Sequence, residues 1–186
     1  MPLLALEPSL YPEDLLTTTA CAADPAQRWW VLHTRPRTEK TLARQCVSQQ
    51  LPFYLPLHHK KWQSRGRIQK SFVPLFPGYV FLFGDDEVRQ SALQTNLVAH
   101  VIPVKDQQQL YADLNRVHRL IEGGRGLSPE DRLQPGSPVR ISSGPLVGLE
   151  GKVLRREKNL RFFVEVRLLQ QGVSVEIESW MIEPLV

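Results

Sequence analysis

PLFPGYVFLF, residues 74–83, decides how the N-terminal half of this 186-residue chain folds. Two prolines and a glycine predict a turn, and an uninterrupted apolar strand follows it. Side chains alternate across a strand, so Tyr79, Phe81 and Phe83 share one face and the two residues between them share the other. A strand of a small antiparallel sheet normally has one polar face. Both faces here are apolar, so the aromatic one is covered either by the chain itself or by another molecule.

The flanking segments predict a mixed α and β domain around this strand. Aromatic and β-branched residues predict a strand at 29–34, and a helix follows Pro36, where Leu42, Ala43, Cys46 and Val47 recur at helical spacing. Further strands are predicted at 53–58 and 98–104. Helices are predicted at 85–93, where Asp85 can cap the first turn, and at 110–121. The connections are too short for repeated parallel crossovers, so we expect an antiparallel sheet with helices on one side. The aromatic residues of the central strand then occupy the open side.

Beyond residue 135 the hydrophobic period changes from helical to two. Apolar residues alternate along 162–168 and 173–177, and glycines at 144, 148 and 151 interrupt the pattern before them. Closely spaced short strands of this kind predict a small all-β barrel over 136–186, joined by a polar, breaker-rich linker at 123–135. The glycines and Pro145 oppose any continuous helix, which favours a stable β-structure. The alternation places Phe163 on the outside, as a candidate exposed contact.

The first 27 residues and the composition limit the class of protein. Residues 1–27 lack the basic region of a secretory signal and predict a flexible acidic tail, followed by a domain at 28–122. No apolar run is long enough to span a bilayer, so we expect a cytoplasmic protein, monomeric and without membrane contact. The two cysteines suggest neither a disulfide nor a zinc site. The histidines have no suitable partners, so we expect no enzyme activity, no catalytic residue, no metal and no cofactor.

Positive charge is concentrated in one part of the chain. Between residues 35 and 70 there are nine basic residues and a single acidic one, a segment charge of +8 in a chain of net charge +4. Such a concentration is typical of a surface that faces nucleic acid, although a solvated hairpin is the alternative. The candidate nucleic-acid-facing residues are Arg35, Arg37, Lys60, Lys61, Arg65, Arg67 and Lys70.

The two halves together resemble the NusG family of transcription elongation factors, over roughly Arg28 to Val186. The family's N-terminal domain carries a Phe-Pro-Gly-Tyr-Val signature, which matches Phe76, Pro77, Gly78, Tyr79 and Val80. Its C-terminal KOW domain, a small β-barrel, carries a Gly-Pro-Phe-x-Gly-x-x-Gly signature. The matching segment here runs from Gly144 to Gly151.

The resemblance implies a partner for each domain. It implies that the aromatic strand binds the clamp helices of RNA polymerase, through Phe76, Pro77, Gly78, Tyr79, Phe81 and Phe83. It implies that the basic residues lie near non-template or upstream DNA. It also implies that the KOW loop contacts a ribosomal protein or another factor, with the candidate residues Gly144, Pro145, Leu146, Val147, Gly148 and Phe163.

Departures from the family pattern indicate a specialised member. Leu146 stands where the family usually has phenylalanine, and Gln170 begins a segment that is usually Phe-Gly-Arg. The His-Thr-Thr-Thr element of RfaH-type members is replaced by residues 90–93, Gln-Ser-Ala-Leu. The chain therefore resembles divergent paralogs that regulate particular long operons.

Two functions remain open at this point. The first is a polymerase-bound elongation or antitermination factor that performs no chemistry and recruits a further partner. The second is an RNA-binding, ribosome-associated KOW protein. An RNA surface would interleave aromatic with basic residues, and the strand at 79–83 does not, which favours the first.

Overall fold

The computed structural model describes residues 7–18, 24–64, 66–130, 136–156 and 159–185. Two compact units divide the chain: Met1–Leu57 with Phe72–Tyr111, and His58–Ser71 with Ala112–Val186. The elements are, in chain order, β1 Leu10–Tyr11, α1 Leu15–Thr18, β2 Arg28–Thr34, α2 Glu39–Ser48, β3 Phe53–Tyr54, β4 Leu57–Ser64, β5 Arg67–Pro74, β6 Tyr79–Gly84, α3 Asp86–Gln94, β7 Val98–Ile102, α4 Gln107–Glu122, β8 Leu127–Glu130, β9 Ser137–Ile141, β10 Glu150–Arg156, β11 Asn159–Val166, β12 Gln171–Ile177 and β13 Ile182–Pro184.

The first unit contains an antiparallel sheet in the order β1-β3-β6-β2-β7. The predicted apolar strand is β6, and it lies at the centre of this sheet, between β3 and β2. Trp29 pairs with Phe83, Val31 with Phe81 and His33 with Tyr79. Residues that pair directly point to the same side, so β2 and β6 together build one continuous aromatic face.

The opposite face of the sheet packs under α2 and α3. Val80 and Leu82 join a buried cluster with Leu42, Ala43 and Cys46 of α2, as the helical spacing predicts. Asp85 caps α3 as predicted, because its side chain accepts a hydrogen bond from the backbone N–H of Val88 at 3.0 Å. We call this side the helix-covered face.

Residues 7–18 are an ordered part of the first unit, so the prediction of a flexible tail is wrong for them. Strand β1 pairs with β3 at the edge of the sheet, with Leu10 opposite Tyr54 and Tyr11 opposite Phe53. Leu15 and Leu16 of α1 are buried. The acidic residues predicted a tail, but the apolar residues among them bury enough surface to hold the segment on the sheet. Residues 1–6 and 19–23 lie outside the described part of the chain.

The second unit contains an antiparallel sheet in the order β13-β9-β10-β11-β12-β8. Val164 pairs with Val173 and Phe162 with Val175, all buried, as the alternating pattern predicts. Strand β8 lies inside the predicted linker, and that interpretation is wrong for residues 127–130. The strand pairs with β12. Glu130 anchors it through a hydrogen bond that the Ser174 hydroxyl donates to its carboxylate at 2.6 Å. Residues 131–135 are not described.

Phe163 is fully buried, although the alternation predicts it on the outside. Gly172 of β12 explains the difference, because a Cβ atom at that position would meet the ring at 2.5 Å. The ring therefore lies across the backbone of the next strand. The prediction that Phe163 is exposed is wrong.

The observed architecture confirms an α and β N-terminal region with an antiparallel sheet, followed by a C-terminal all-β region. Among the residues described, no helix combines the length and the apolar character needed to cross a membrane.

Candidate interaction surface

The aromatic face of the first sheet consists of Trp29, Val31 and His33 on β2, Tyr79, Phe81 and Phe83 on β6, Tyr54 on β3, and His100 and Ile102 on β7. Its two ends differ in exposure. The side chains near the Trp29–Phe83 pair are buried, whereas those near the His33–Tyr79 pair reach solvent. Only the second end is available to another molecule in this conformation.

Three of the predicted polymerase contacts are buried. The Phe81 ring lies 6.5 Å from Tyr54 and 6.3 Å from Phe76, and the Phe83 ring lies 5.2 Å from Trp29. Phe76 and Phe81 are at most 1% exposed and Phe83 is 8% exposed. The prediction that Phe81 and Phe83 lie on an open face is wrong in this conformation, because the chain covers that part of the sheet itself.

The open end of the aromatic face carries three rings in contact. Tyr79 meets His33 edge-on at 5.2 Å, and His33 stacks on His100 at 4.5 Å with 25° between the ring planes. His100 is exposed and the other two are half-buried. Rings held by a sheet lose little conformational freedom on binding, so they are suitable anchors for a partner.

The signature turn holds Tyr79 in place. Gly78 has a φ of 86°, which a residue with a Cβ rarely adopts, so glycine suits this turn. Its N–H donates to the Glu39 carboxylate at 2.7 Å, and its carbonyl accepts from the Thr34 N–H at 2.8 Å. Pro77 is exposed at the tip. Glu39 lies 39 residues before Gly78, and no local sequence signal indicated their hydrogen bond.

The predicted nucleic-acid-facing residues are described only in part. Arg35 and Arg37 are exposed in the turn between β2 and α2, where Arg37 has a φ of 63°. Lys60 on β4 and Lys70 on β5 are exposed on their two-stranded sheet. The side chains of Lys61, Arg65 and Arg67 lie outside what the structure describes.

His58 lies near the start of the same hairpin, on β4. Its burial, together with the charges of Lys60 and His59, lowers its pKa. In the described part of the chain, no group of three His, Cys, Asp or Glu residues could hold a metal ion.

The predicted KOW loop lies between β9 and β10 in the second unit. Gly144, Pro145, Val147 and Gly148 are exposed, and Val147 is 53% exposed. Leu146 is buried, and its side chain fills the space beside Gly123, where a Cβ would meet it at 2.6 Å. The prediction that Leu146 is a contact residue is therefore wrong, because the loop places this side chain in the interior.

Sequence reasoning missed Trp180, which is 70% exposed just before β13. Its neighbour Met181 accepts a hydrogen bond from the Ser142 N–H at 2.8 Å, and a Cβ on Gly144 would meet the Met181 methyl at 3.1 Å. Trp180 is therefore adjacent in sequence to a residue that contacts the start of the loop that carries Val147. Trp180 is followed by Met181 and Ile182 in a strand-rich segment, so no local pattern indicated that it is exposed.

Charged pairs surround a shallow cavity of about 180 Å³ in the second unit. Arg140 donates to Glu150 at 2.6 Å, and this bond lowers the pKa of Glu150, with a smaller effect from Arg116. The Asp113 carboxylate is buried and accepts from Arg116 at 3.0 Å and from the Arg167 backbone N–H at 3.1 Å. The acids and bases neutralise each other, as in a structural network.

A family model described as "Transcription termination factor nusG" matches residues 27–127, more than half of the chain. The crystal structure of the MjSpt4:Spt5 complex in conformation B is 15% identical. That match covers 84% of this chain and 96% of the other, with a TM-score of 0.27. A score this low does not establish a common overall fold. No curated protein has a significant match to the sequence.

Proposed function

Because the chain belongs to the NusG family of non-enzymatic transcription factors, we propose that it binds RNA polymerase through the open end of the aromatic face and acts during elongation. The observation that carries this proposal is the cluster of Tyr79, His33 and His100 beside the signature turn. The family match covers every residue of that cluster. The clamp helices are the proposed polymerase element.

The predicted contact residues take two roles in this proposal. Pro77, Gly78 and Tyr79 are accessible and touch the polymerase directly. Phe76, Phe81 and Phe83 lie beneath or beside them and hold the sheet in the shape that the partner recognises. A rigid platform lowers the entropic cost of binding, so these aromatics contribute even while they are buried.

Nucleic acid is the second proposed contact. Arg35 and Arg37 follow β2 directly, so they extend from the same strand that carries His33. Exposed arginines in such a turn suit the phosphates of non-template or upstream DNA. The charged residues of the β4–β5 hairpin, including Lys60, Lys61, Arg65, Arg67 and Lys70, are proposed to contribute to the same electrostatic attraction.

The C-terminal region is proposed to be a KOW barrel that recruits a further protein of the transcription or translation machinery. The exposed residues Gly144, Pro145, Val147 and Gly148 are its proposed contacts, and Trp180 extends them. Bound through both domains, the factor would oppose pausing or termination on selected operons. The cytoplasm is its expected location.

Substitution of the three-ring cluster tests the polymerase site. Tyr79→Ala and His100→Ala are each expected to weaken binding to RNA polymerase core enzyme by tenfold or more, as for an interface hot spot. Fluorescence anisotropy of the labelled full-length protein measures this. Val47→Ala removes another exposed apolar side chain of the same unit, 37% exposed, and is expected to bind as the wild type. Undiminished binding of both cluster variants would reject the site.

Salt dependence tests the nucleic-acid contact. The double variant Arg35→Gln and Arg37→Gln is expected to flatten the fall of affinity with salt on a polymerase and nucleic-acid scaffold, because fewer phosphates are neutralised. Binding to polymerase without nucleic acid should be unchanged. An unaltered slope would assign the two arginines to a solvated surface. Binding of RNA alone, with no binding of polymerase, would favour the RNA-binding function instead.

A further inference from the structure

The buried end of the aromatic face lies where the N-terminal segment, residues 7–18, crosses the sheet. Tyr11 packs with Phe53 against the helix-covered face, so Leu10 and Tyr54, which also pair, point to the aromatic face. Tyr54 contacts Phe81 on that face. The segment therefore reaches the aromatic face at its β3 edge.

The C-terminal end of the segment is attached to α4, which lies at the β2 side of the aromatic face. The Tyr111 hydroxyl of α4 donates to the Leu16 carbonyl at 2.9 Å. The Gln107 side chain, one turn earlier in α4, bonds both backbone groups of Trp29 on β2, at 2.7 and 3.0 Å. Strands β3, β6 and β2 are adjacent, so these two anchors span about 10 Å across the sheet.

Leu15 and Leu16 belong to α1, the part of the segment that Tyr111 anchors. They are 4% and 2% exposed, and neither belongs to the cluster on the helix-covered face. Helices α2 and α3 pack on that other face, whereas α1 bonds α4, whose Gln107 side chain holds the Trp29 backbone of β2. The two leucines are therefore buried away from the helix-covered face, on the side of the sheet that Phe81 and Phe83 occupy.

The cover is a short segment that is held by contacts with several distant parts of the chain. Helix α1 has four residues, too few to be stable without its buried side chains. At the other end, the Leu55 N–H donates to the Ser9 carbonyl at 2.6 Å, and Arg44 pairs with Glu7 at 2.7 Å. The segment precedes residue 27, where the family match begins.

We propose that residues 7–18 are an intramolecular mask, which RNA polymerase displaces to reach Phe81, Phe83 and Trp29. This inference rests on the proposed function, since it enlarges the same polymerase site. The mask has two states, closed on the aromatic face or released from it. Polymerase binding then competes with the leucines, and the apparent affinity falls with the fraction of molecules that are closed.

Release of the mask by substitution is the decisive experiment. Leu16→Asp in the full-length protein places a charge in the buried contact and should strengthen binding to RNA polymerase core enzyme by about fivefold or more. Thr17→Asp adds the same charge at an exposed position of α1 and should leave the affinity unchanged. Circular dichroism confirms that each variant is folded, and the milder Leu16→Ala replaces Leu16→Asp if that variant is not.

The outcomes separate the mask from the proposed function. If the wild type binds RNA polymerase and a folded Leu16 variant binds it no more tightly, the mask is overturned and the polymerase site stands. No binding by either protein would overturn both. Hydrogen exchange gives an independent check, because displacement of the mask should speed exchange of the Leu55 amide in the polymerase complex. Slower exchange there on binding would contradict the mask.

Discussion

The two ends of the aromatic face are built from the same strands, and they differ in what covers them. At one end the pair of Trp29 and Phe83 is buried, and at the other the pair of His33 and Tyr79 reaches solvent. The residue types follow this difference, since imidazoles and a phenol tolerate water and phenylalanine does not. One strand thus supplies both stability and a surface, and the position along the strand decides which.

Phe81→Ala gives the largest expected effect, because it removes a fully buried ring at the covered end. We expect a loss of about 3–5 kcal/mol in the free energy of unfolding, from lost burial and from the cavity left between Tyr54 and Phe76. Urea denaturation measures it. Tyr79→Ala, two residues away at the open end, should cost less than half as much. Equal losses would abolish the distinction between the two ends.

Glu39→Ala should give the next largest effect. Gly78 would lose the acceptor of its N–H in a partly buried site, which costs about 1–3 kcal/mol. The turn before Tyr79 would also lose its attachment to α2. Glu39→Gln keeps an acceptor oxygen at the same place and should recover most of the stability. If both variants unfold at the wild-type urea concentration, the turn does not depend on this bond.

Sequence patterns identified the elements of this face but could not identify what covers it. Periodicity assigns Tyr79, Phe81 and Phe83 to one side, and the pairing with β2 agrees. In the proposed mask, coverage depends on Leu10 and Leu16, which lie far away in the chain and which the pairing of β1 with β3 brings to the sheet. No local period reports such a pairing.

The same limit explains three other differences between the sequence patterns and the structure. Alternation puts Phe163 outside, but the ring is buried over Gly172 on the neighbouring strand. The exposure of Trp180 and the bond between Glu39 and Gly78 also depend on partners distant in sequence. Local signals such as the Asp85 cap were read correctly because both partners lie within one helical turn.

The helix-covered face offers a chemical test of how completely α2 closes it. Burial raises the pKa of Cys46 from an ordinary value of 9.0 to about 12. In a Cys21→Ser background, Cys46 should not react with a thiol reagent at pH 8 until the protein unfolds. Residue 21 is not among the described positions, and the substitution removes its thiol from the measurement.

The raised pKa of Cys46 also determines how this residue makes the stability of the protein depend on pH. The thiol stays protonated in the folded state while the unfolded state ionises, so its contribution to stability is complete below pH 9 and is lost as the pH rises towards 12. Cys46→Ala should lack this part of the alkaline decline. Rapid labelling of Cys46 by the thiol reagent in the native protein would show that the helix-covered face is open to solvent.

The smallest effect is expected where neither partner is covered. Arg140 lowers the pKa of Glu150 through a hydrogen bond on the surface of the second unit. Such a pair contributes little because water and salt screen it. Glu150→Gln should therefore change the thermal midpoint only slightly at neutral pH. The lowered pKa means that the contribution is present above the ordinary pKa of a glutamate and disappears as the pH falls through the lowered value.

Thermal scans of the wild type and of Glu150→Gln at neutral and acid pH, each in low and high salt, measure this difference. It should vanish at acid pH and shrink in high salt. Glu178→Gln, another exposed glutamate of the same unit, controls for the loss of one negative charge. A large midpoint change for Glu150→Gln that persists in high salt would mean that solvent exposure does not set the size of these effects. The different effects expected at the covered and the open end of the aromatic face would then need another explanation.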